Sequence, residues 1–154
     1  MNDTKVILLV EGNPDDELMT LRVLQRAGIK NEVVVARDGE EALAYLSVAG
    51  AYTRGDTNRA VQLVLLEPKL PKVDGLNVLK RLRAEQRTAD LPVALFVSSE
   101  EEQHWLEGNE RLEGNETGNI VCIPKPFNFD HLSEVLRQLG LSWVVLDAHR
   151  EGAK

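Results

Sequence analysis

Five short apolar runs punctuate this chain, at residues 6–10, 33–36, 63–66, 93–97 and 120–123. Each is rich in Val, Ile or Leu, and none alternates apolar with polar residues. A strand that shows no polar face has to be covered on both sides, the condition of a parallel sheet inside an α/β fold. Helix signatures fill the intervals. Asn13 followed by Pro14, Asp15, Asp16 and Glu17 offers a cap, a proline at the first helical position and acids where the helix dipole favours them. Leu18, Leu21 and Leu24 are its expected inner stripe, and Gly28 its stop. Asp38 and Glu41 have capping-box spacing ahead of Ala42, Leu43 and Leu46. Gly75 opens a third helix with Val78, Leu79 and Leu82, and a fourth is expected near Ser99, with Glu100, Glu101 and Glu102 in its first turn. A fifth starts at Asn128, where Phe127 and Leu132 are placed as a hydrophobic staple and Gly140 ends the helix. This alternation predicts a parallel sheet with helices on both faces.

Length and charge narrow the function classes. A chain of 154 residues suits one domain with a substantial core. Its 25 acidic residues outweigh 18 basic ones, for a net charge of −7, which argues against binding nucleic acid or an anionic membrane, since both need a positive face. Cys122 is the sole cysteine, so no internal disulfide forms, as expected in a reducing cytoplasm. The first apolar run is too short for a signal-peptide core or a membrane span, so the sequons at Asn2 and Asn115 carry no meaning. His104, His131 and His149 lack the spacing of a metal cluster and read as surface residues. One stretch breaks the order. LEGNER at 106–111 is followed by LEGNET at 112–117, a tandem repeat whose Gly-Asn pairs predict an early end to the fourth helix and a loop.

The ends of the strands matter most for chemistry, because open α/β sheets bind ligands at their carboxyl edge. Glu11 and Gly12 follow the first strand, Glu67 the third, Val97 and Ser98 the fourth, and Lys125 the fifth. Glu67 is a single acid closing the run Leu63, Val64, Leu65, Leu66, and it leads into Pro68, Lys69, Leu70, Pro71, Lys72, Val73, Asp74 and Gly75.

The segments ILLVEGN, LVLLEPKLPKVDG, LPVALFVSS and IPKPF resemble those of response-regulator receiver domains, and the resemblance covers nearly the whole chain. It is nearest to single-domain receivers paired with phytochrome-type kinases, whose tail GLSWVVL also resembles. It implies a flavodoxin-like doubly wound (βα)5 fold with strand order 2-1-3-4-5. It further implies a receiver at 1–140, a tail at 141–154 and no separate output domain. The expected role is two-component phosphorelay signalling by protein–protein contact in the cytoplasm, with a histidine kinase or another signalling protein as partner.

In that family two acids after strand one, an acceptor aspartate and a backbone carbonyl two residues beyond it hold Mg²⁺; a hard cation of this kind wants oxygen ligands. A strand-five lysine pairs with the phosphoryl oxygens, often beside a cis proline. A hydroxyl after strand four and an aromatic on strand five report the modification. Carried onto this chain, the resemblance gives Glu11 as the first acid, Lys69 as the carbonyl and Lys125 as the lysine. The rest depart. Gly12 removes the second acid, Val97 replaces the switch hydroxyl, and Cys122 stands where the aromatic is usual. Glu67 sits at the acceptor position with a carboxylate roughly 1.5 Å farther out, from ordinary C–C geometry. These departures make a divergent pseudo-receiver the expected reading, with Mg²⁺ binding weak or absent and Glu67 able to reach Lys125 in imitation of a phosphorylated aspartate. A receiver that still accepts phosphate is the alternative.

An enzyme on the same scaffold, a Mg²⁺-dependent phosphatase or a flavin- or nucleotide-binding protein, would need an acceptor aspartate or a glycine-rich loop, and neither is present. Cys122 reads as a small buried hydrophobe rather than a reactive thiol. Trp105 and Trp143 are placed either on the partner face or in packing. The resemblance also suggests a homodimer through the fourth helix, fifth strand, fifth helix and tail, where Val144, Val145 and Leu146 form an apolar run that needs cover.

Overall fold

The computed structural model describes residues 6–46, 61–85, 88–100, 102 and 119–141. Five strands, β1 (Val6–Val10), β2 (Val33–Ala36), β3 (Val61–Leu66), β4 (Val93–Val97) and β5 (Ile120–Pro124), form one sheet in the order β2-β1-β3-β4-β5. Every pairing is parallel, which is the expected doubly wound topology. Helices α1 (Pro14–Arg26), α2 (Gly39–Leu46), α3 (Gly75–Ala84) and α4 (Phe129–Gln138) complete the described elements; α4 is the helix expected fifth in sequence.

Because strand side chains alternate between faces, the sheet generates two cores. Val6, Leu8 and Val10 of β1, with Val64, Leu66, Val93 and Leu95, pack beneath Ala42 and Leu46 of α2 and Leu76, Leu79 and Leu82 of α3. Ile7 and Leu9, with Leu63, Leu65, Phe96 and Ile123, pack against Leu24 of α1 and Leu132, Val135 and Leu136 of α4. All of β1 and β4 is buried, which explains why neither run alternates.

The caps anticipated from sequence form. Asn13 accepts from the N–H groups of Asp15 and Asp16 at 2.8 and 3.1 Å. Asp38 accepts from Glu41 N–H at 2.7 Å, while the Glu41 carboxylate reaches back to Arg37 N–H rather than to Asp38. Asn128 and His131 close a reciprocal box at 3.0 and 3.2 Å, so exposed His131 has a capping role. Phe127 and Leu132 are both buried, as the staple required.

The α1 stripe differs from expectation. Leu18 is 51% exposed, whereas Thr20, Leu24 and Ala27 are buried and Leu21 is half-buried. At about 3.6 residues per turn Leu18 points almost opposite Thr20; the inner face is set by the neighbouring sheet, which a list of leucines does not reveal. Cys122 is half-buried against the first core, less covered than expected, because β5 is the sheet's edge. Of the expected fourth helix only Glu100 and Glu102 are described, both helical. Trp105, Trp143, the 106–117 repeat, His104, His149 and the tail from residue 142 lie outside the described residues.

Candidate functional site

Backbone pairing at the sheet's carboxyl edge lines up three charged residues. Glu11 N–H donates to Ala36 C=O at 3.0 Å, Glu67 N–H to Val10 C=O at 3.0 Å, and Lys125 N–H to Val97 C=O at 2.8 Å. Each strand end is thereby fixed to its neighbour; Glu11 and Glu67 follow adjacent strands, and Lys125 reaches them from β5, across β4. Glu11 is 1% exposed and Glu67 7%. A buried carboxylate requires a partner, and both have the same one. Lys125 Nζ donates to Glu11 Oε1 at 2.9 Å and to Glu67 Oε1. A third acid, Asp16 on the first turn of α1, places Oδ2 3.0 Å from the same Nζ. The Phe96 ring lies 5.4 Å from the ammonium, within cation–π range, and packs on Phe127 at 5.8 Å between centroids.

The remaining carboxylate oxygens are also occupied. Glu11 Oε2 accepts from Asn13 N–H at 3.3 Å, and Glu67 Oε2 from Lys69 N–H at 3.1 Å. Lys69, expected to supply a backbone carbonyl, here contributes its N–H. Burial by itself would lower the Lys125 pKa, but its hydrogen bonds to Glu67, Glu11 and Asp16 outweigh that and raise it. Burial raises the Glu11 carboxyl above its ordinary value in spite of the Lys125 bond. The Lys125–Pro126 peptide bond is cis.

Gly12 carries no side chain, and its surroundings leave little room for one. A Cβ built there meets Pro71 Cδ at 2.9 Å and Arg37 C=O at 3.2 Å, so the β3–α3 loop closes over the place where a second acid would begin. Val97 is buried in the first core, which Cys122 also borders. Ser98 N–H donates to Glu102 Oε1 at 2.6 Å, and Glu102 N–H to Ser99 Oγ at 3.0 Å. The Glu102 carboxylate also lies 3.7 Å from Lys69 Nζ, so the β4 loop is tied to the β3 loop through a side chain.

Of the positions singled out from sequence, the structure clusters Glu11, Glu67 and Lys125 and leaves Val97, Ser98 and Cys122 in surrounding packing or loop contacts. Asp16 and Phe96 were missed. The sequence marks Asp16 only as a first-turn acid; its signal is an acid three residues after a cap, on a helix starting beside the sheet edge. Nothing in the local sequence marks Phe96, whose role depends on the fold.

The donor set does not fit the Mg²⁺ that the resemblance implies. Gly12 supplies no oxygen, and all four oxygens of Glu11 and Glu67 already accept from N–H groups. Among the described residues no group of three or more His, Cys, Asp or Glu side chains is arranged to hold a metal ion.

The family profile described as "Response regulator receiver domain" matches residues 7–137. The solved structure of the bacteriophytochrome response regulator AtBRR is 41% identical and superposes with a TM-score of 0.75, covering 92% of this chain and 96% of that one. Response regulator Rcp1 of Synechocystis sp. is 35% identical over 109 residues, 71% of this chain and 72% of its own. A crystal structure of the Mn²⁺-bound form of Rcp1 aligns at 28% identity with a TM-score of 0.66, over 94% of this chain and 99% of that one.

Proposed function

The chain belongs to the response regulator receiver domain family, and from that premise we propose that it is a divergent, single-domain response regulator holding one fixed state. Glu67 occupies the place of the phosphoacceptor without taking a phosphoryl group, and output is protein–protein contact. The observation that carries this reading is the buried Glu67–Lys125 ion pair, supported by Glu11 and Asp16. An attacking carboxylate needs a free oxygen within about 3–3.5 Å of phosphorus, correctly aligned. Both Glu67 oxygens accept hydrogen bonds, one of them from the Lys125 ammonium, which draws electron density from the carboxylate and weakens it as a nucleophile. The pair supplies in permanent form part of what modification supplies on demand, an anion held against Lys125, though with one negative charge where a phosphoryl group brings about 1.5 to 2.

The same reading places a receiver at 1–140, followed by the segment 141–154. It assigns a cytoplasmic location, a histidine kinase or other signalling protein as partner, and a homodimer through the fourth helix expected near Ser99, β5, α4 and the tail. Receivers are in general signalling modules rather than enzymes, and no enzymatic role is assigned. Mg²⁺ binding is weak or absent, in contrast to the Mn²⁺-bound form known for Rcp1.

The test is incubation with Mg²⁺ and a small-molecule phosphodonor, followed by intact mass, with an ordinary receiver labelled alongside. We expect the control to gain one phosphoryl group and this protein's mass to stay unchanged. A phosphorylated product would reverse the reading in favour of a working receiver.

A further inference from the structure

The site disagrees with the divalent ion its family implies, and the disagreement has a definite form. An ammonium group has three N–H donors and no acceptor. Three carboxylates meet at Lys125 Nζ, from Glu11 at 2.9 Å, from Asp16 at 3.0 Å and from Glu67. Donor and acceptor counts therefore match, and the lysine side chain is only 12% exposed. We propose that the Lys125 ammonium is the resident cation of this site, standing among the acids in place of a divalent ion and keeping such ions out.

The physical case has three parts. The first is geometry. Mg²⁺ demands near-octahedral oxygen ligands at about 2.0–2.1 Å and gives up water reluctantly, whereas these carboxylates are splayed to hydrogen-bond distance around nitrogen, and those of Glu11 and Glu67 face N–H donors on their other oxygens. The second is competition. A cation carried on the chain is present at the high effective concentration of an intramolecular group, on the order of millimolar or more, so a dissolved ion must displace it while the displaced ammonium loses three charge-assisted bonds. The third is the blocked position. An acid at Gly12 would press its Cβ on Pro71 Cδ at 2.9 Å and Arg37 C=O at 3.2 Å, so restoring it requires the β3–α3 loop to shift. Charge points the same way from the other side: three carboxylates against one ammonium leave an excess of negative charge, so removing the ammonium leaves acids that need another cation.

This inference rests on the fixed Glu67–Lys125 state proposed above, and its test separates the two. Thermal melts and Mn²⁺ binding isotherms are recorded with MnCl2 on the wild-type chain, Lys125→Met, Lys125→Arg and Lys125→Met with Asp16→Asn. The wild type and Lys125→Arg are expected to show no change in Tm and no binding at millimolar Mn²⁺. Lys125→Met is expected to melt lower without metal, to bind Mn²⁺ at least tenfold more tightly than the wild type and to regain Tm as the ion is added, since ligand binding to the folded state stabilises it by mass action. Asp16→Asn in that background should weaken the gained affinity several-fold. If Lys125→Met is unfolded without metal, recovery of the fold on adding Mn²⁺ supports the proposal and failure to recover overturns it. Millimolar binding by the wild type, binding by Lys125→Arg equal to that of Lys125→Met, or no gain in Lys125→Met each overturns it as well. Any of these with an unchanged mass in the phosphodonor experiment removes the resident-cation idea alone; a gained phosphoryl group removes the parent reading.

Discussion

Lys125 concentrates the chemistry of this protein in one side chain. Its ammonium is the shared partner of two buried glutamates and a helix-start aspartate, and it lies over an aromatic ring. Removing one member of such a buried pair strands the others, which costs far more than losing a surface ion pair. The sign of its pH dependence follows from its raised pKa. A lysine whose folded value exceeds its ordinary 10.5 contributes stability that is fully present below 10.5 and lost as pH rises through the folded value. The unfolding free energy of the wild type should therefore fall relative to that of Lys125→Met above pH 10.5, with a limiting slope of about 1.4 kcal/mol per pH unit. Denaturant melts of both chains across that range measure the difference; parallel curves would mean that the ammonium gains nothing on folding.

The elements put that side chain where it is. Each strand of the site ends in a backbone bond to its neighbour, so the β1, β3 and β5 termini deliver their charges as a row. A less obvious element-scale device lies at the opposite end of the sheet. Arg83, in the last turn of α3, donates to Leu91 C=O at 2.9 Å, Thr88 C=O at 3.3 Å and Asn119 C=O at 3.1 Å. It thereby joins the end of a helix to the starts of β4 and β5, and burial lowers its pKa. Replacing it by methionine keeps much of the volume and removes a charged donor from three carbonyls, of which Thr88 C=O and Asn119 C=O keep backbone donors in Leu91 N–H and Val93 N–H. Arg83→Met should reduce the unfolding free energy by roughly 2–3 kcal/mol, on the scale of hydrogen bonds from a charged group, as read by chemical denaturation. A change within ~0.5 kcal/mol, the range of an ordinary surface substitution, would show that the clamp is not needed. The strands and caps of these elements were legible because burial and capping leave marks in local sequence. The Arg83 clamp was not, because its acceptors are backbone carbonyls, which have no sequence signature.

At the scale of the whole molecule, two cores on either face of one parallel sheet support the carboxyl edge, and the −7 net charge makes two copies repel unless an apolar face overcomes it. The proposed homodimer can be judged on that balance. Sedimentation over a range of concentrations should show a dimer that dissociates on dilution and strengthens with salt as repulsion is screened; a monomer at every concentration would remove it. The sequence by itself determined the βα alternation, the doubly wound order through its receiver-like motifs, the helix caps, and the set Glu11, Glu67 and Lys125. Those features depend on local patterns of burial and on residues that sit where strands stop. Only the tertiary structure decided that Asp16 joins the site, that Leu18 faces outward, that Pro71 fills the space beside Gly12, and that one ammonium satisfies three acids. Each of these depends on which atoms from distant segments come within about 3 Å of one another, a distance set by the packing of the sheet against its helices and not by any residue's neighbours in the chain.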